Sequence, residues 1–183
     1  RKMDFGTYDI LVQFNPERIR SSAAKVDAKS IRERPCFLCS QNRPPEQRGI
    51  VFEKKLTILD NPFPIFRRHL TIPSELHTDQ RIGNNLDTML SLAQAMPSYT
   101  VFYNGPQCGA SAPDHFHFQA GNKGFMPIET DFQNGKLARP LSENPGIEIW
   151  KWTGYLRGIV TLKGYDAEKL AMAFDTVYNR FAE

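Results

Sequence analysis

A strictly alternating segment near the middle of the chain constrains the fold more than any other feature. It reads Ser111-Ala112-Pro113-Asp114-His115-Phe116-His117-Phe118-Gln119. If this segment is extended, its side chains alternate between two faces, with about 6.6 Å between Cα atoms two residues apart. His115, His117 and Gln119 then share one face, while the two phenylalanines point the other way. Two aromatic anchors would hold the polar face rigidly, as a preorganised site requires.

The polar face of this segment admits two interpretations. The residues could be satisfied polar side chains on a half-exposed strand, but three of them in strict alternation favour a site. A neutral imidazole is an effective nucleophile toward phosphorus near pH 7, because its unperturbed pKa of about 6.5 leaves one ring nitrogen with a free lone pair. The other nitrogen must then be held as a donor, typically to a backbone carbonyl. Gln119 can donate amide hydrogens to phosphate oxygens as charge builds there.

Size and charge narrow the class of protein. The 183 residues, 40% apolar and 23% charged, are typical of a soluble globular chain and predict one domain over residues 1–183. The net charge of +3 is spread over the sequence, which suits a phosphorylated small substrate and disfavours nucleic acid. No apolar run approaches the roughly 20 residues of a membrane span, and the first residues do not resemble a secretory signal, so we expect a soluble protein. The three cysteines are an odd number, and this favours a reducing cytoplasm.

The periodicity of the chain predicts most of its elements. Short β-prone runs predict strands at 50–52, 56–59, 69–72 and 99–103, and alternation predicts another at 8–14. Two strand-like runs occupy 147–162. Helical spacing predicts a helix over 85–96, and a second helix capped by Asp166 with an inner face of Leu170, Phe174, Val177, Tyr178 and Phe181. Residues 121–146 show no sustained period and are predicted as a long loop of open role.

A pair of cysteines, Cys36 and Cys39, forms a CxxC knuckle whose thiolates can reach one tetrahedral metal ion. A redox dithiol is the main rival, but that interpretation expects the motif after a strand and at the start of a helix. Pro35 precedes the motif and a Pro-Pro pair follows at 44–45, so a helix is disfavoured and a metal site is favoured. Two more ligands are needed, and the chain has four histidines: His69, His77, His115 and His117.

The HxHxQ pattern at 115–119, with Ser111 and Asn104 before it, resembles the active-site strand of the histidine-triad superfamily. More narrowly, it resembles the branch that contains galactose-1-phosphate uridylyltransferase, diadenosine tetraphosphate phosphorylase and the GDP-hexose phosphorylases. The resemblance implies an α+β fold, a HIT-like antiparallel sheet with packed helices. It also implies His117 as the nucleophile and Gln119 as a phosphate ligand, with Ser111 and Asn104 lining the phosphate pocket.

The same resemblance implies a ligand set for the metal and a nucleotide pocket. A structural zinc ion would be held by Cys36, Cys39, His77 and His115, with His69 as the alternative to His77. The segment 58–65 is similar to the family segment that contacts base and ribose. Asp60 or Asn61 would accept from the ribose hydroxyls, and Phe63 or Phe66 would pack on the base. An ordinary proline-rich turn over the core is the alternative for this segment.

These features together predict a nucleotidyltransferase. A nucleoside monophosphate would pass from a nucleotide sugar or dinucleotide to a sugar phosphate or phosphate, through a covalent bond to His117. Glutamine at 119 cannot protonate a leaving group at neutral pH, and this favours transfer over hydrolysis. The alternatives are a nucleotide hydrolase of the same fold and a non-catalytic zinc-containing nucleotide-binding module. The superfamily often forms dimers, which leaves a homodimer as an open option.

Overall fold

The computed structural model describes residues 1–6, 8–16, 25–65, 67–135 and 137–182. The chain divides into two compact units. We call residues 15–82 and 92–123 the central unit, and residues 1–14, 83–91 and 124–183 the terminal unit. Both units combine helices with antiparallel sheets, so the predicted α+β class is confirmed. The assignment of residues 1–183 to one domain stays a prediction.

The central unit is built on one antiparallel sheet of five strands. These are β3 (Gly49–Phe52), β4 (Leu56–Asp60), β5 (Leu70–Pro73), β6 (Tyr99–Phe102) and β7 (His117–Asn122), in the order β3-β4-β5-β7-β6. Strand β7 therefore lies between β5 and β6, with Thr71 and Phe102 both paired to Gln119. A short helix, α1 (Ala28–Glu33), precedes the sheet and begins at Asp27, whose carboxylate accepts from the Ser30 N–H.

The core of the central unit lies on the apolar side of β7. Phe116 and Phe118 are 4% and 0% exposed, and their rings meet edge to face at 4.9 Å. Leu56 on β4 and Ile72 on β5 are also buried. The two phenylalanines thus anchor the strand in the core, as the alternation predicts.

The terminal unit has its own sheet. Strands β8 (Ala138–Asn144), β9 (Ile147–Trp152) and β10 (Val160–Gly164) form an antiparallel sheet in the order β10-β9-β8. Its buried core is Leu137, Ala138 and Trp152, with Phe132 packed against them. Two further strands, β1 (Lys2–Asp4) and β2 (Asp9–Leu11), form a hairpin. Helices α3 (Pro127–Gln133) and α4 (Ala167–Ala182) belong to this unit, and α2 (Leu86–Ala95) contributes residues to both units.

Most predicted elements are confirmed within one or two residues. Strands β3 to β6, β9 and β10 and helices α2 and α4 lie where the periodicity places them. The Asp166 side chain accepts from the Lys169 N–H at 3.1 Å, which confirms it as the N-cap of α4. On the predicted inner face of α4, Leu170, Phe174 and Val177 are half-buried, but Tyr178 and Phe181 are exposed.

The predicted loop at 121–146 is wrong. The segment holds the end of β7, all of α3 and all of β8. Helix α3 is only seven residues long and begins at Pro127. The Glu129 carboxylate in its first turn accepts hydrogen bonds from the Gly124 and Met126 N–H groups. Strand β8 carries Pro140 and a register shift just after it, at the edge of its sheet. A helix this short and a bulged edge strand leave no sustained period.

Two strand boundaries also differ from the prediction. Strand β2 ends at Leu11 instead of Phe14, so the alternation extends beyond the residues that pair with β1. Strand β7 begins at His117, because residues 113–115 form a turn and a bend. Among the described residues, no helix combines the length and apolarity that a membrane span needs.

Candidate functional site

A cavity of about 470 Å³ opens within the central unit, a size typical of small-molecule sites. Its walls come from the CxxC knuckle, the β4–β5 connection, the loop before β7 and β7 itself. Every predicted catalytic and substrate-binding residue lines it: Asp60, Asn61, Phe63, Asn104, Ser111, His117 and Gln119. The structure thus brings together residues that are up to 59 positions apart in sequence, from Asp60 to Gln119.

His117 opens β7 and is 6% exposed. Its Nδ1–H donates to the His115 carbonyl oxygen at 2.8 Å, which leaves the lone pair on Nε2. Burial lowers the pKa of His117 below its ordinary value of 6.5, and the hydrogen bond to His115 only partly opposes this. The ring is therefore neutral near pH 7, in the tautomer that the predicted chemistry requires.

The backbone of His117 is held by a residue that the sequence did not single out. Gln80 is fully buried; its Oε1 accepts from the His117 N–H at 2.7 Å, and its Nε2 donates to the His117 carbonyl oxygen at 3.0 Å. The same Nε2 donates to the Asn104 carbonyl oxygen at 2.9 Å. Strand β6 ends at Phe102, opposite Gln119, so the Gln80 side chain takes the place of a strand partner beside His117. It joins the histidine to the loop that carries Asn104.

Gln119 lines the cavity two residues beyond His117. Its Oε1 lies 2.9 Å from Nε2 of His69, which is 4% exposed. His69 is therefore part of the surroundings of Gln119, and the group of candidate metal ligands does not include it. The alternative that placed His69 on the metal is not supported by this geometry.

The two candidate ribose ligands, Asp60 and Asn61, differ in their hydrogen bonding and exposure. The Asn61 side chain is engaged within the loop, since its Nδ2 donates to Thr71 Oγ1 at 2.8 Å and its Oδ1 accepts from the Phe63 N–H at 2.8 Å. Asp60 is exposed at the cavity wall. Asp60 is therefore the better placed of the two to accept from a ligand. Phe63 lines the cavity, whereas Phe66 lies outside the described residues.

A second cluster lies beside the cavity. Cys36, Cys39, His77 and His115 offer four ligand atoms that all lie within 4.8 Å of one another. The Sγ of Cys36 is 3.3 Å from Nδ1 of His115, and the Sγ of Cys39 is 3.2 Å from Nδ1 of His77. Tetrahedral bonds of about 2.3 Å to sulfur and about 2.1 Å to nitrogen would place such atoms about 3.6 Å apart. The donor set and its spacing fit a four-coordinate metal ion.

Neighbouring groups orient both histidines of this cluster. Nε2–H of His115 donates to the Ser74 carbonyl oxygen at 2.9 Å, so the lone pair of Nδ1 faces the sulfurs. Nε2 of His77 is 3.8 Å from the carboxylate of Asp114, and that carboxylate is paired with Arg34 at 2.7 Å. Burial and the hydrogen bond with Cys36 raise the pKa of the Cys39 thiol. A divalent cation would favour the thiolate instead.

The CxxC knuckle contributes residues both to the candidate metal cluster and to the cavity wall. Phe37 and Leu38, the two residues between the cysteines, line the cavity, and Leu38 packs with Cys36 and Ala112 in one buried cluster. Ala112 follows Ser111 in the loop before β7, and the Ser111 carbonyl accepts from Arg34. The spacing of the cysteines predicts two of the candidate metal ligands, but it carries no signal that the residues between them form a pocket wall.

The arrangement is suited to chemistry at phosphorus. A neutral imidazole with one free lone pair, a primary amide two residues along and a small-residue loop with Ser111 face one cavity. Apolar side chains of Phe37, Leu38 and Leu59 line the same space and suit a flat heterocycle. This combination can bind a nucleotide and form a bond from the imidazole to its phosphate.

The sequence and structure are similar to those of known transferases and phosphorylases. A galactose-1-phosphate uridylyltransferase of Halalkalibacterium halodurans is 24% identical over 194 aligned residues, which cover 96% of this chain and 37% of that protein. The crystal structure of yeast Ap4A phosphorylase Apa2 in complex with AMP gives a TM-score of 0.56 at 18% identity. That match covers 98% of this chain and 62% of the phosphorylase. The complex of the same enzyme with Ap4A gives 0.54 at 18% identity, over 98% and 64% of the two chains.

These matches confirm the predicted resemblance to the branch of the histidine-triad superfamily that holds the uridylyltransferases and Ap4A phosphorylases. They also confirm the HIT-like fold. The chain spans 37% of the length of the curated relative and less than two thirds of the phosphorylase. A family model described as "Domain of unknown function (DUF4922)" matches residues 1–122. This range includes the residues that line the cavity and the four candidate metal ligands.

Proposed function

We propose that this chain, which belongs to the DUF4922 family, is a nucleotidyltransferase that carries a nucleoside monophosphate on His117. The observation that carries the proposal is the tautomer of His117. Its Nδ1–H is committed to the His115 carbonyl, and the remaining nitrogen is a nucleophile beside a cavity of nucleotide size.

The reaction has two displacement steps. The Nε2 lone pair of His117 attacks the α-phosphorus of the donor, a nitrogen–phosphorus bond forms, and the bond to the leaving phosphate oxygen breaks. An acceptor oxygen then attacks the same phosphorus, and the electron pair of the nitrogen–phosphorus bond returns to the imidazole. In both steps Gln119 donates its amide hydrogens to the non-bridging oxygens, with Ser111 and Asn104 lining the phosphate pocket.

The relatives support the choice of substrates. Two solved structures of the yeast phosphorylase hold AMP and Ap4A, and the curated relative is a uridylyltransferase. We therefore propose a nucleotide sugar or a dinucleotide as donor, and a sugar phosphate or phosphate as acceptor. Asp60 would accept from the ribose hydroxyls and Phe63 would pack on the base.

The metal in the second cluster is proposed to be zinc. Two cysteines and two histidines with no open position are the donor set of structural zinc sites. A bound ion would hold His115, whose carbonyl in turn fixes the tautomer of His117. The chain's own residues perform the transfer, and the ion supplies rigidity. A single domain and a cytoplasmic location stay our predictions, and a homodimer stays an open option.

The test uses intact mass after incubation with Ap4A and with a panel of nucleotide sugars. We expect the mass to rise by one nucleoside monophosphate on wild-type protein. His117→Asn should give no adduct, because its amide can still donate to the His115 carbonyl from the Nδ1 position but offers no nucleophile. A dinucleotide cleaved without any adduct would favour the hydrolase. Tight AMP or UMP binding without turnover would favour the non-catalytic module.

A further inference from the structure

His69 is a buried histidine of the central unit that the proposed reaction does not use. It lies just before β5, is 4% exposed and does not line the cavity. Its ring stacks on Phe102 with 6.1 Å between the ring centres and 22° between the planes. Phe102 lies opposite Gln119 across β6 and β7. The imidazole is therefore held in one plane next to the residue that we assign to the phosphate.

Two hydrogen bonds fix the tautomer of this ring. The backbone N–H of Ile65 donates to Nδ1 of His69 at 3.1 Å. A backbone N–H can only donate, so Nδ1 must carry a lone pair. In a neutral imidazole the proton is then on Nε2, and Nε2–H donates to Oε1 of Gln119 at 2.9 Å.

The direction of this chain of hydrogen bonds decides how the amide of Gln119 is turned. A glutamine side chain offers an acceptor oxygen and a donor NH2 group, which differ little in shape. Since Oε1 is engaged by His69, the NH2 group is the part left for a ligand. We propose that His69 is a positioning residue that presents the NH2 group of Gln119 to the phosphate, an inference that rests on the proposed function.

An amide turned the other way would oppose binding. Its carbonyl oxygen would face the negatively charged phosphate oxygens, and two acceptors cannot share a hydrogen bond. The strand backbone at Gln119 is paired on both sides, with Thr71 and with Phe102, so only the side-chain torsions are free to change. His69 thus sets the polarity of the phosphate ligand before the substrate arrives.

Two substitutions separate this role from simple packing. In His69→Asn the side-chain amide lies near the position of Nδ1, so it can still accept from Ile65 but no longer reaches Gln119. In His69→Gln the amide lies near the position of Nε2, so it can still donate to Gln119. We expect His69→Asn to weaken AMP binding by about tenfold, the order of one lost hydrogen bond, and His69→Gln to weaken it much less. Equal losses in the two variants would overturn the proposal.

Adenosine provides the matched control ligand, because it lacks the phosphate. Calorimetric titrations should give the same adenosine affinity for wild type and for His69→Asn. A purely structural role would weaken AMP and adenosine together. In a Gln119→Ala background, which removes the amide, His69→Asn should cause no further loss of AMP affinity. An additive loss in the double variant would contradict the proposal.

A nuclear magnetic resonance measurement tests the inference apart from ligand binding. In metal-loaded protein labelled with ¹⁵N, we expect the His69 proton on Nε2, and a proton on Nδ1 would overturn the assignment. If that tautomer is found but no nucleotide forms an adduct on His117, the proposed function fails while the hydrogen-bond chain stands. If the adduct forms but the variants behave alike, the role of His69 fails alone.

Discussion

The central and terminal units are stabilised in different ways. The central unit buries His69, Gln80, His115 and His117, and each is matched to a hydrogen-bond partner or to the candidate metal cluster. The core of the terminal unit is apolar and aromatic, centred on Trp152, which contacts Phe132 and Tyr155. The unit with the candidate chemistry therefore combines an apolar core with several buried, hydrogen-bonded polar side chains, whereas the stability of the terminal unit rests mainly on aromatic packing.

The largest effect is expected from a substitution in the candidate metal cluster of the central unit. We expect Cys36→Ser to lose the bound ion and to unfold the central unit, because structural zinc sites contribute on the order of 10 kcal/mol to folding. Metal content by mass spectrometry and thermal unfolding measure the two effects. Cys108→Ser is the control, since Cys108 is exposed and outside the cluster. A Cys36→Ser protein that keeps one ion per chain would refute the assignment.

The terminal unit should respond most to its central aromatic residue. Trp152 is 5% exposed and its Nε1–H donates to Thr161 Oγ1 at 2.9 Å. We expect Trp152→Ala to lower the free energy of unfolding by about 3–5 kcal/mol, and Trp152→Phe to lower it less because aromatic packing remains. Denaturant titration gives both values. Metal content of the folded Trp152→Phe protein should equal that of wild type, and a loss would contradict the assignment of Trp152 to the stability of the terminal unit alone.

Replacing Gln80 tests how much a buried, hydrogen-bonded polar side chain contributes to the stability of the central unit. Gln80→Met keeps the length of the side chain but leaves the His117 N–H and two carbonyls without their partner. We expect a loss of about 2–3 kcal/mol in unfolding free energy and slower adduct formation on His117. Gln133→Met on the exposed end of α3 is the control, with an expected change below about 0.5 kcal/mol. Equal changes in unfolding free energy at the two positions would show that the hydrogen bonds of the Gln80 side chain do not stabilise the protein.

The smallest expected effects are those of substitutions at Asp60 and Asn61, which should act on different properties. We expect Asp60→Ala to weaken UMP or AMP binding by about tenfold without changing stability, because its exposed carboxylate is placed to accept from a ligand. Asn61→Ala should instead lower the unfolding free energy by about 1 kcal/mol, through its lost bonds to Thr71 and Phe63. Binding and unfolding titrations on both variants check this, and a reversal of the two results would exchange the roles.

The sequence predicted the site where the signal is local. The alternation around His117 and the spacing of Cys36 and Cys39 depend on neighbouring residues, so side-chain identity alone carries them. Gln80 carries no local sequence signal, because its partners are the backbone groups of residues 24 and 37 positions away. The sequence suggests His69 only as an alternative metal ligand to His77, since a histidine by itself does not reveal its partner.

The fold was predicted less well in the terminal unit for a physical reason. Strand β8 is an edge strand with Pro140 at a register shift, and a proline cannot donate to a ladder. Its pairing with β9 comes from contacts that lie outside its own sequence. Helix α3 has fewer than two full turns, too few for a helical period to emerge.

Phe37 and Leu38 each have two roles, and this limits which substitutions the cavity can accept. Both side chains form a wall of the cavity, and both belong to the turn that brings Cys36 and Cys39 together. A larger or smaller residue at either position, selected to admit a different base, would also act on the geometry of the thiolates. Substitutions at Phe63 or Ile65 would alter the cavity with less effect on the candidate metal site, because these residues lie in the β4–β5 connection, which carries no candidate metal ligand.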